Sequence, residues 1–246
     1  MLSKTTVKYI QSLSHKKFRD EEGVFIAEGP KIVAEFFKSG KLKCKAVYAT
    51  RQWLDENKDL LTGIAQENII EVNETELTKI SLLTTPNQVL AIFFKKENEI
   101  PGIKNNVSLM LDGIQDPGNM GSIIRNADWF GVKNIICSHE CADYYNPKVV
   151  QSTMGSLARV NIIYTDLENF LINHKEIKTF AATLDGENIS SHTKIKEGII
   201  LIRNESKGVS QQLIALCNNK ITITKYGKAE SLNAAVACGI ILSHLI

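Results

Sequence analysis

The sequence of 246 residues contains no apolar run near the roughly 18 residues that a membrane-spanning helix needs. Its N-terminus also lacks the apolar core of a signal peptide, so we expect a cytoplasmic protein with no membrane partner. The five cysteines are an odd number without the spacing of a disulfide framework, which fits reduced thiols. Cys137, His139 and Cys141 would supply only three of the four ligands of a structural zinc site, so we expect no metal.

Familiar nucleotide-binding and hydrolase motifs are missing as well. Neither GxGxxG nor GxxxxGKS/T occurs, which removes the usual support for dinucleotide and P-loop nucleotide sites. No Ser–His–Asp triad can be argued from the spacing of these residues. There is no internal repeat and no low-complexity segment, and 43% apolar with 23% charged residues is typical of a globular chain.

The charge of the chain is unevenly distributed. The net charge is only +2, yet residues 1–19 contain Lys4, Lys8, Lys16, Lys17 and Arg19 and no acidic residue. A basic segment of this kind is compatible with contacts to nucleic-acid phosphates, and equally with an ordinary solvated helix face.

Short strands alternate with helices along the whole chain, which predicts an α/β fold. Residues 95–106, KKENEIPGIKNN, are polar, interrupt this pattern and predict an interdomain linker. We therefore expect one domain at residues 1–98 and a second at residues 105–246. Strands of the second half that are apolar throughout, such as 198–202, predict a parallel sheet covered on both faces.

The stretch 112–131, DGIQDPGNMGSIIRNADWFG, follows a short apolar run and predicts a strand, a glycine turn and a helix. Pro117-Gly118 is a turn signal, Asn119 stands where a helix N-cap is wanted, and Gly131 is a natural helix stop. Arg125 then lies about one and a half turns inside the helix. An Asn, a Gly and an Arg at these offsets indicate an anion or polar ligand at the carboxyl end of a strand.

Two further polar corners follow strands of the second half. Residues 202–210, IRNESKGVS, place a carboxylate and a basic residue beside a glycine. Residues 223–233, ITKYGKAESLN, put Ser231 at a predicted N-cap before a helix rich in small residues. Each corner alone is explained by ordinary turn chemistry. Three of them at the carboxyl side of one parallel sheet predict a ligand site.

Together the three corners resemble motifs one, two and three of the SpoU (TrmH-type) RNA ribose 2′-O-methyltransferases of the SPOUT superfamily. The matching residues are Asn119, Gly121, Arg125, Ala127, Phe130 and Gly131 in motif one, Asn204, Glu205, Lys207 and Gly208 in motif two, and Ile223, Gly227, Glu230, Ser231, Leu232 and Asn233 in motif three. Residues 12–29 are similar to this family's N-terminal substrate-binding domain in the spacing of basic residues, Phe and Glu-Gly. The resemblance thus covers nearly the whole chain.

The resemblance implies a small N-terminal α/β RNA-binding domain and a parallel-sheet α/β domain whose C-terminal segment threads a trefoil knot. It implies an enzyme that binds S-adenosylmethionine in the knot loops, forms a homodimer and methylates a ribose 2′-hydroxyl of structured RNA. Ribosomal RNA is favoured over transfer RNA. A 2′-hydroxyl as methyl acceptor excludes DNA as the substrate.

The resemblance also implies site residues. The expected catalytic residues are Arg125, Asn119, Glu205, Ser231 and Asn233, the expected cofactor contacts are Thr183, Leu184, Arg203, Ile223 and Leu232, and the expected RNA contacts are Lys4, Lys8, Lys16, Lys17 and Arg19. Because a guanidinium stays protonated in almost any setting, we expect Arg125 to grip a phosphate and stabilise a developing alkoxide rather than abstract a proton. For Glu205 and Ser231, a loop brace and a helix N-cap are alternative roles with equal support.

Four positions depart from the family pattern. The family usually has Gly where Arg203 and Ser206 stand, and Pro-Met where Thr224-Lys225 stand. A long side chain near the adenine site and a freer loop backbone would both weaken cofactor binding. The alternative is therefore a non-catalytic RNA-binding or assembly factor with a decayed cofactor pocket, and a third reading is a small-molecule methyltransferase with a basic accessory domain.

Overall fold

The structure is a computed structural model that describes residues 1–96, 102–203 and 211–246. Within these ranges no helix is both long and apolar enough to span a bilayer. The elements of the first half are α1 (Lys4–Ser12), α2 (Lys16–Glu22), β1 (Val24–Glu28), α3 (Pro30–Ser39), β2 (Cys44–Ala49), α4 (Arg51–Glu56), β3 (Ile69–Glu71), α5 (Glu74–Ile80) and β4 (Val89–Phe94). The elements of the second half are β5 (Val107–Asp112), α6 (Pro117–Trp129), β6 (Asn134–Cys137), α7 (Pro147–Thr153), β7 (Asn161–Tyr164), α8 (Leu167–Asn173), β8 (Thr179–Asn188), β9 (Gly198–Arg203), α9 (Gln211–Ala215), β10 (Asn219–Thr222) and α10 (Ala234–Leu245).

The chain divides into two compact units, each with its own sheet. The first unit consists of Met1–Glu97 and Asp143–Ala158, and the second of Asn98–Ala142 and Arg159–Ile246. The sequence-based domains are continuous, whereas in the structure the segment Asp143–Ala158, which contains α7, packs with the first unit. Part of the predicted linker lies outside the described residues.

The first unit is built on a four-stranded sheet in the order β1-β4-β2-β3, in which β2 and β3 run parallel and the other neighbours antiparallel. Strand β1 is buried along its whole length, and both α3 and α7 pack against it. The ring centroid of Phe25 lies 4.5 Å from that of Tyr145 and 5.9 Å from those of Phe36 and Phe93. The segment inserted from the second half of the chain thus completes the core of the first unit.

The structure contradicts the prediction that Arg19 contacts RNA, because its side chain is only 1% exposed. Its Nη1 donates to the carbonyl oxygens of Leu13 at 2.9 Å and Ser14 at 2.7 Å, and its Nη2 donates to Asp143 Oδ2 at 2.6 Å. Asp143 lies 124 positions further along the chain. The ion pair therefore ties the inserted segment to the N-terminal helices, and the local pattern around Arg19 contains no sign of it.

The lysines of the same segment are exposed. Lys16 and Lys17 each pair with the acidic residue four positions later in α2, at 2.5 Å and 3.9 Å. Lys4 and Lys8 lie on the exposed surface of α1. Carboxylates that follow directly in the sequence thus neutralise part of the basic segment, and contacts between these four lysines and RNA stay a prediction.

The second unit is built on a six-stranded sheet in the order β10-β8-β9-β5-β6-β7, and every neighbouring pair is parallel, which confirms the predicted sheet. The central strands β5 and β9 are largely apolar and mostly buried, as strands covered on both faces must be. Parallel strands place their carboxyl ends at one edge of the sheet, and the polar corners that follow β5 and β10 therefore lie at this edge. The trefoil knot stays a prediction.

A shift in register between β8 and β10 shapes this edge. Two consecutive residues of β10, Lys220 and Ile221, pair with positions 181 and 187 of β8, so the residues between these positions leave the ladder as a bulge. Gly186 permits the bulge, because a Cβ at this position would lie 2.6 Å from backbone atoms of Ile221. The bulge contains two of the predicted cofactor contacts.

Candidate functional site

A pocket of about 680 Å³ opens at the carboxyl ends of β9 and β10, beside the bulge of β8. Its wall consists of residues 182–184 from the β8 bulge, Ile202 and Arg203 from β9, residues 221–227 and 229–234 between β10 and α10, Ala237 and Ile241 from α10, and Asn119 from α6. The volume lies within the range of sites that bind small molecules and cofactors. A concave surface at the carboxyl edge of a parallel sheet is also where ligand sites of α/β proteins occur.

The predicted cofactor contacts all lie in the wall of this pocket. They are Thr183, Leu184, Arg203, Ile223 and Leu232. Two of them leave large apolar side chains open to solvent, since Leu184 is 70% and Leu232 is 41% exposed. Apolar side chains in an open pocket are the kind of surface that a flat heteroaromatic ring covers when it binds. The wall therefore fits such a ligand, and the individual contacts stay predictions.

Arg203 lies in the pocket wall with a carboxyl group beside it. It is the register partner of Asp112, the last residue of β5. Burial and the nearby charge of Glu140 raise the pKa of Asp112, whereas Arg203 and a hydrogen bond with Ser138 act in the opposite direction. The guanidinium at this edge of the sheet thus has a carboxyl neighbour on the adjacent strand.

Helix α6 begins at Pro117, ahead of the predicted start. Asp116 is its N-cap, and the Oδ1 of Asp116 accepts the backbone N–H of Asn119 at 2.7 Å. The predictions of a turn at Pro117-Gly118 and of a cap at Asn119 are therefore wrong, because proline fits the first helical position, where no N–H is needed. Gly131 follows the helix end with φ +73°, as its predicted role as a stop requires.

Helix α10 begins at Ala234, and its N-cap is Asn233 rather than the predicted Ser231. Asn233 Oδ1 accepts the backbone N–H groups of Ala235 at 2.9 Å and Val236 at 3.3 Å. Ser231 is exposed and belongs to the pocket wall, two residues ahead of the cap. Its position therefore fits contact with a ligand and excludes the alternative role of helix N-cap.

The two asparagines of motifs one and three are hydrogen-bonded, with Asn233 Nδ2 donating to Asn119 Oδ1 at 2.8 Å. The direction of this bond follows from the helix cap. The two backbone N–H groups at the start of α10 require the carbonyl oxygen of Asn233, so its amide nitrogen must face Asn119. Asn119 then presents its own carbonyl oxygen to Asn233. Its Nδ2, a hydrogen-bond donor, is left for a ligand in the pocket that Asn119 lines.

Arg125 lies in the middle of α6 and is not part of the pocket wall. Its side chain is exposed, and no residue in the described part of the chain pairs with it. Trp129, four residues later and on the same face of the helix, is 83% exposed. Asn126 instead faces α10, where its Nδ2 donates to the carbonyl oxygen of Ala235 at 2.8 Å. The structure thus brings Asn119 to the pocket and leaves Arg125 outside it.

Other site predictions have different outcomes. Glu205, with the rest of motif two at 204–208, lies outside the described residues, so its role stays a prediction. Among the described residues no cluster of three or more His, Cys, Asp or Glu side chains could hold a metal. Tyr226 belongs to the third polar corner and is 95% exposed in the pocket wall, but no sequence pattern predicted it as a site residue.

Both halves of the chain match known families. Residues 106–243 match the SpoU rRNA Methylase family, and residues 4–91 match an MRM3-like substrate binding domain. The chain is 28% identical over 244 residues to the 23S rRNA (guanosine(2553)-2′-O)-methyltransferase RlmP of Bacillus subtilis, covering 97% of this chain and 95% of that protein.

Solved structures of similar length share the fold. A TrmH-family protein from Porphyromonas gingivalis has a TM-score of 0.89 at 32% identity, covering 100% of this chain and 98% of that one. An AdoMet-bound rRNA methyltransferase from Sinorhizobium meliloti has a TM-score of 0.88 at 30% identity, covering 100% of this chain and 96% of that one. The agreement therefore extends over the whole chain and is not confined to one unit.

Proposed function

Because the chain belongs to the SpoU rRNA Methylase family, we propose that it transfers a methyl group from S-adenosylmethionine to a ribose 2′-hydroxyl of ribosomal RNA. The observation that carries the proposal is the pocket, whose wall contains all the predicted cofactor contacts together with Asn119, Ser231 and Asn233. Of the relatives described above, the Bacillus subtilis protein is named as a 23S rRNA 2′-O-methyltransferase, and the Sinorhizobium meliloti structure is an AdoMet-bound rRNA methyltransferase. We propose that the protein works in the cytoplasm, which is compatible with an activity on ribosomal RNA.

The pocket suits S-adenosylmethionine because of its exposed apolar wall. Leu184, Ile223 and Leu232 would enclose the adenine ring, and the β8 bulge is what brings Leu184 to the wall. When bound, the cofactor supplies a methyl group that its positive sulfur already activates. Residues 222–227 belong to the same wall, where their backbone N–H and C=O groups would bind polar atoms of the cofactor.

The chain contributes to the transfer mainly by positioning the ribose. Holding two reacting groups in line can lower the barrier by about 7–11 kcal/mol. The free Nδ2–H group of Asn119 donates a hydrogen bond to the 2′-oxygen of the ribose. Ser231 contacts the same nucleotide. Asn233 acts through Asn119 as a positioning residue, because its hydrogen bond decides which group Asn119 presents. Glu205 would pair with Arg125 or with another residue of the three motifs and hold its side chain in one conformation.

A homodimer accounts for the location of Arg125. Val236 on α10 is 51% exposed, Ile240 is 37% exposed, and Trp129 on α6 is almost fully exposed, so a second copy of the chain would cover apolar surface there. Arg125 shares the face of Trp129 and would therefore lie in this interface and reach the pocket of the partner protomer. Its guanidinium donates hydrogen bonds to the phosphate beside the target ribose and stabilises the alkoxide that develops as the 2′-hydroxyl proton passes to solvent water.

The first unit would hold the RNA around the target nucleotide. Lys4, Lys8, Lys16 and Lys17 are exposed and can contact phosphates. Arg19 is not among these contacts, because it is buried against Asp143.

The proposed function is tested by mapping ribose methylation across total ribosomal RNA from cells with and without this protein. A 2′-O-methyl group that disappears on deletion and returns with the wild-type gene supports the proposal. Calorimetry with S-adenosylmethionine in the presence of RNA gives the second readout. An unchanged map, together with no heat of binding at millimolar cofactor, would instead indicate a non-catalytic RNA-binding protein.

We expect Asn233→Asp to lower kcat about 10- to 100-fold, because the donor that faces the ribose oxygen is lost. Aspartate is an effective N-cap, so α10 should stay folded. The aspartate at position 233 cannot donate a hydrogen bond to Asn119. The amide of Asn119 must therefore rotate so that its Nδ2 donates to the aspartate, and its carbonyl oxygen then faces the ribose. Single-turnover kinetics measure the loss, and far-UV circular dichroism checks the helix.

Asn119→Asp is the matched variant of this pair. The aspartate at position 119 still accepts the hydrogen bond from Asn233, but it has no donor for the pocket. A similar fall in kcat is therefore expected, here because the donor itself is removed and not because it rotates away. If either aspartate variant turned over at the wild-type rate, the assigned direction of the Asn119–Asn233 bond would have no role in the transfer.

A further inference from the structure

Tyr226 is a large aromatic side chain that the described part of the chain leaves uncovered. It lies in the pocket wall between the end of β10 at Thr222 and the N-cap of α10 at Asn233. Tyrosines that pack in a protein bury roughly 150–250 Å² each, whereas Tyr226 is 95% exposed. Within the described residues no side chain covers this ring, which leaves its faces open to a ligand.

Two lysines stand on either side of Tyr226 in the sequence. Lys225 and Lys228 are exposed, and neither has a hydrogen-bond or ion-pair partner in the described part of the chain. By contrast, Lys16 and Lys58 pair with carboxylates at 2.5 Å and 3.1 Å. Residues 225–230 carry two lysines and one glutamate, a net charge of +1. Tyr226 and Lys225 belong to the pocket wall, and Lys228 lies in the same loop. This side of the pocket thus combines an exposed aromatic ring with lysines that have no partner among the described residues.

This combination matches the chemistry of an unpaired RNA nucleotide. Bases outside a duplex stack on tyrosine rings, and the phosphates beside them attract lysine side chains. For its ribose 2′-hydroxyl to reach the pocket, a nucleotide has to leave the stack of its neighbours, which costs free energy. An exposed aromatic ring in the pocket wall can stack on the base of the entering nucleotide and so replace the stacking that this base has lost.

We propose that Tyr226 is the stacking platform for the base of the target nucleotide, with Lys225 and Lys228 contacting the phosphates next to it. The inference rests on the proposed function and deepens it, because it states how the nucleotide is held at the pocket. Every base has a face that can stack, so the platform selects an unpaired nucleotide and not a particular base.

The test compares the full-length protein with Tyr226→Ala, Tyr226→Leu and Tyr226→Phe. The substrate is unmethylated ribosomal RNA from cells that lack the protein. We expect KM for this RNA to rise about 10- to 100-fold in the alanine and leucine variants, and phenylalanine, which keeps the ring, to restore most of the affinity. Leucine supplies apolar bulk without an aromatic face, so it separates stacking from simple apolar contact. Replacing Lys225 and Lys228 together by alanine should reduce the salt dependence of KM.

Three results would overturn the proposal while leaving the proposed function intact. One is an unchanged KM in Tyr226→Ala. Another is weaker binding of S-adenosylmethionine to this variant by calorimetry, which would assign the ring to the cofactor. The third is loss of the dimer in analytical ultracentrifugation, which would assign it to the interface between protomers. Absence of methylation by the wild-type protein would instead overturn the proposed function.

Discussion

Arg125→Ala is expected to abolish methyl transfer, with a fall in rate of at least about 10²- to 10³-fold, as found when a donor to developing negative charge is removed. The side chain is exposed and no described residue pairs with it, so α6 should fold normally. Binding of S-adenosylmethionine should not change, because Arg125 lies outside the wall of its own pocket and is proposed to contact the RNA phosphate and not the cofactor. Single-turnover kinetics measure the rate and calorimetry the cofactor affinity, and analytical ultracentrifugation checks whether the proposed dimer forms in both proteins.

Arg125→Lys separates charge from geometry in the same experiment. Lysine keeps the positive charge but cannot offer two parallel donors to a phosphate, so an intermediate rate is expected. Undiminished transfer by the alanine variant would remove Arg125 from the reaction.

A mixed dimer tests whether Arg125 acts across the interface. Arg125→Ala is co-expressed with Leu232→Asp, which puts a charge into the apolar wall of the pocket and should block cofactor binding. If Arg125 serves the partner's pocket, each mixed dimer contains one intact site, and random pairing of the two chains restores about a quarter of the wild-type sites. No recovery of activity in purified mixed dimers would mean that Arg125 acts within its own chain.

The second large effect concerns the stability of the first unit. We expect Arg19→Ala to lower its free energy of unfolding by about 3–5 kcal/mol, the usual loss when one partner of a buried ion pair is removed. The variant leaves Asp143 and two carbonyl oxygens without their donor in a buried site. It also releases the segment that completes the core around Phe25 and Tyr145.

The measurement can be restricted to the first unit by tryptophan fluorescence. The chain has two tryptophans, of which Trp53 is buried in the first unit and Trp129 is exposed in the second. Urea unfolding in a Trp129→Phe background therefore reports the first unit alone. Arg51→Ala is the matched control, since its ion pairs are solvent-exposed and should contribute little. Equal stability of the Arg19 and Arg51 variants would show that the buried pair does not hold the segment.

The polar corners show how far local signals reach. The apolar run at residues 198–202 predicted a parallel sheet, and the sheet has this form. At the first and third corners, however, two residues were suitable as helix N-caps. Asp116 competes with Asn119, and Asn233 competes with Ser231. The N-caps are Asp116 and Asn233. For α6 the proline at the first helical position identifies the residue before it, Asp116, as the cap.

The sequence by itself determined the α/β class, the parallel sheet and a ligand pocket at its carboxyl edge, because hydrophobic periodicity and turn chemistry act between residues close in the chain. Only the tertiary structure decided that Arg19 is buried, that Asn119 and Asn233 share a hydrogen bond across 114 positions, and that α7 packs with the first unit. These are contacts between residues far apart in the chain. Their formation depends on how the elements pack, and no local pattern of residue types encodes it.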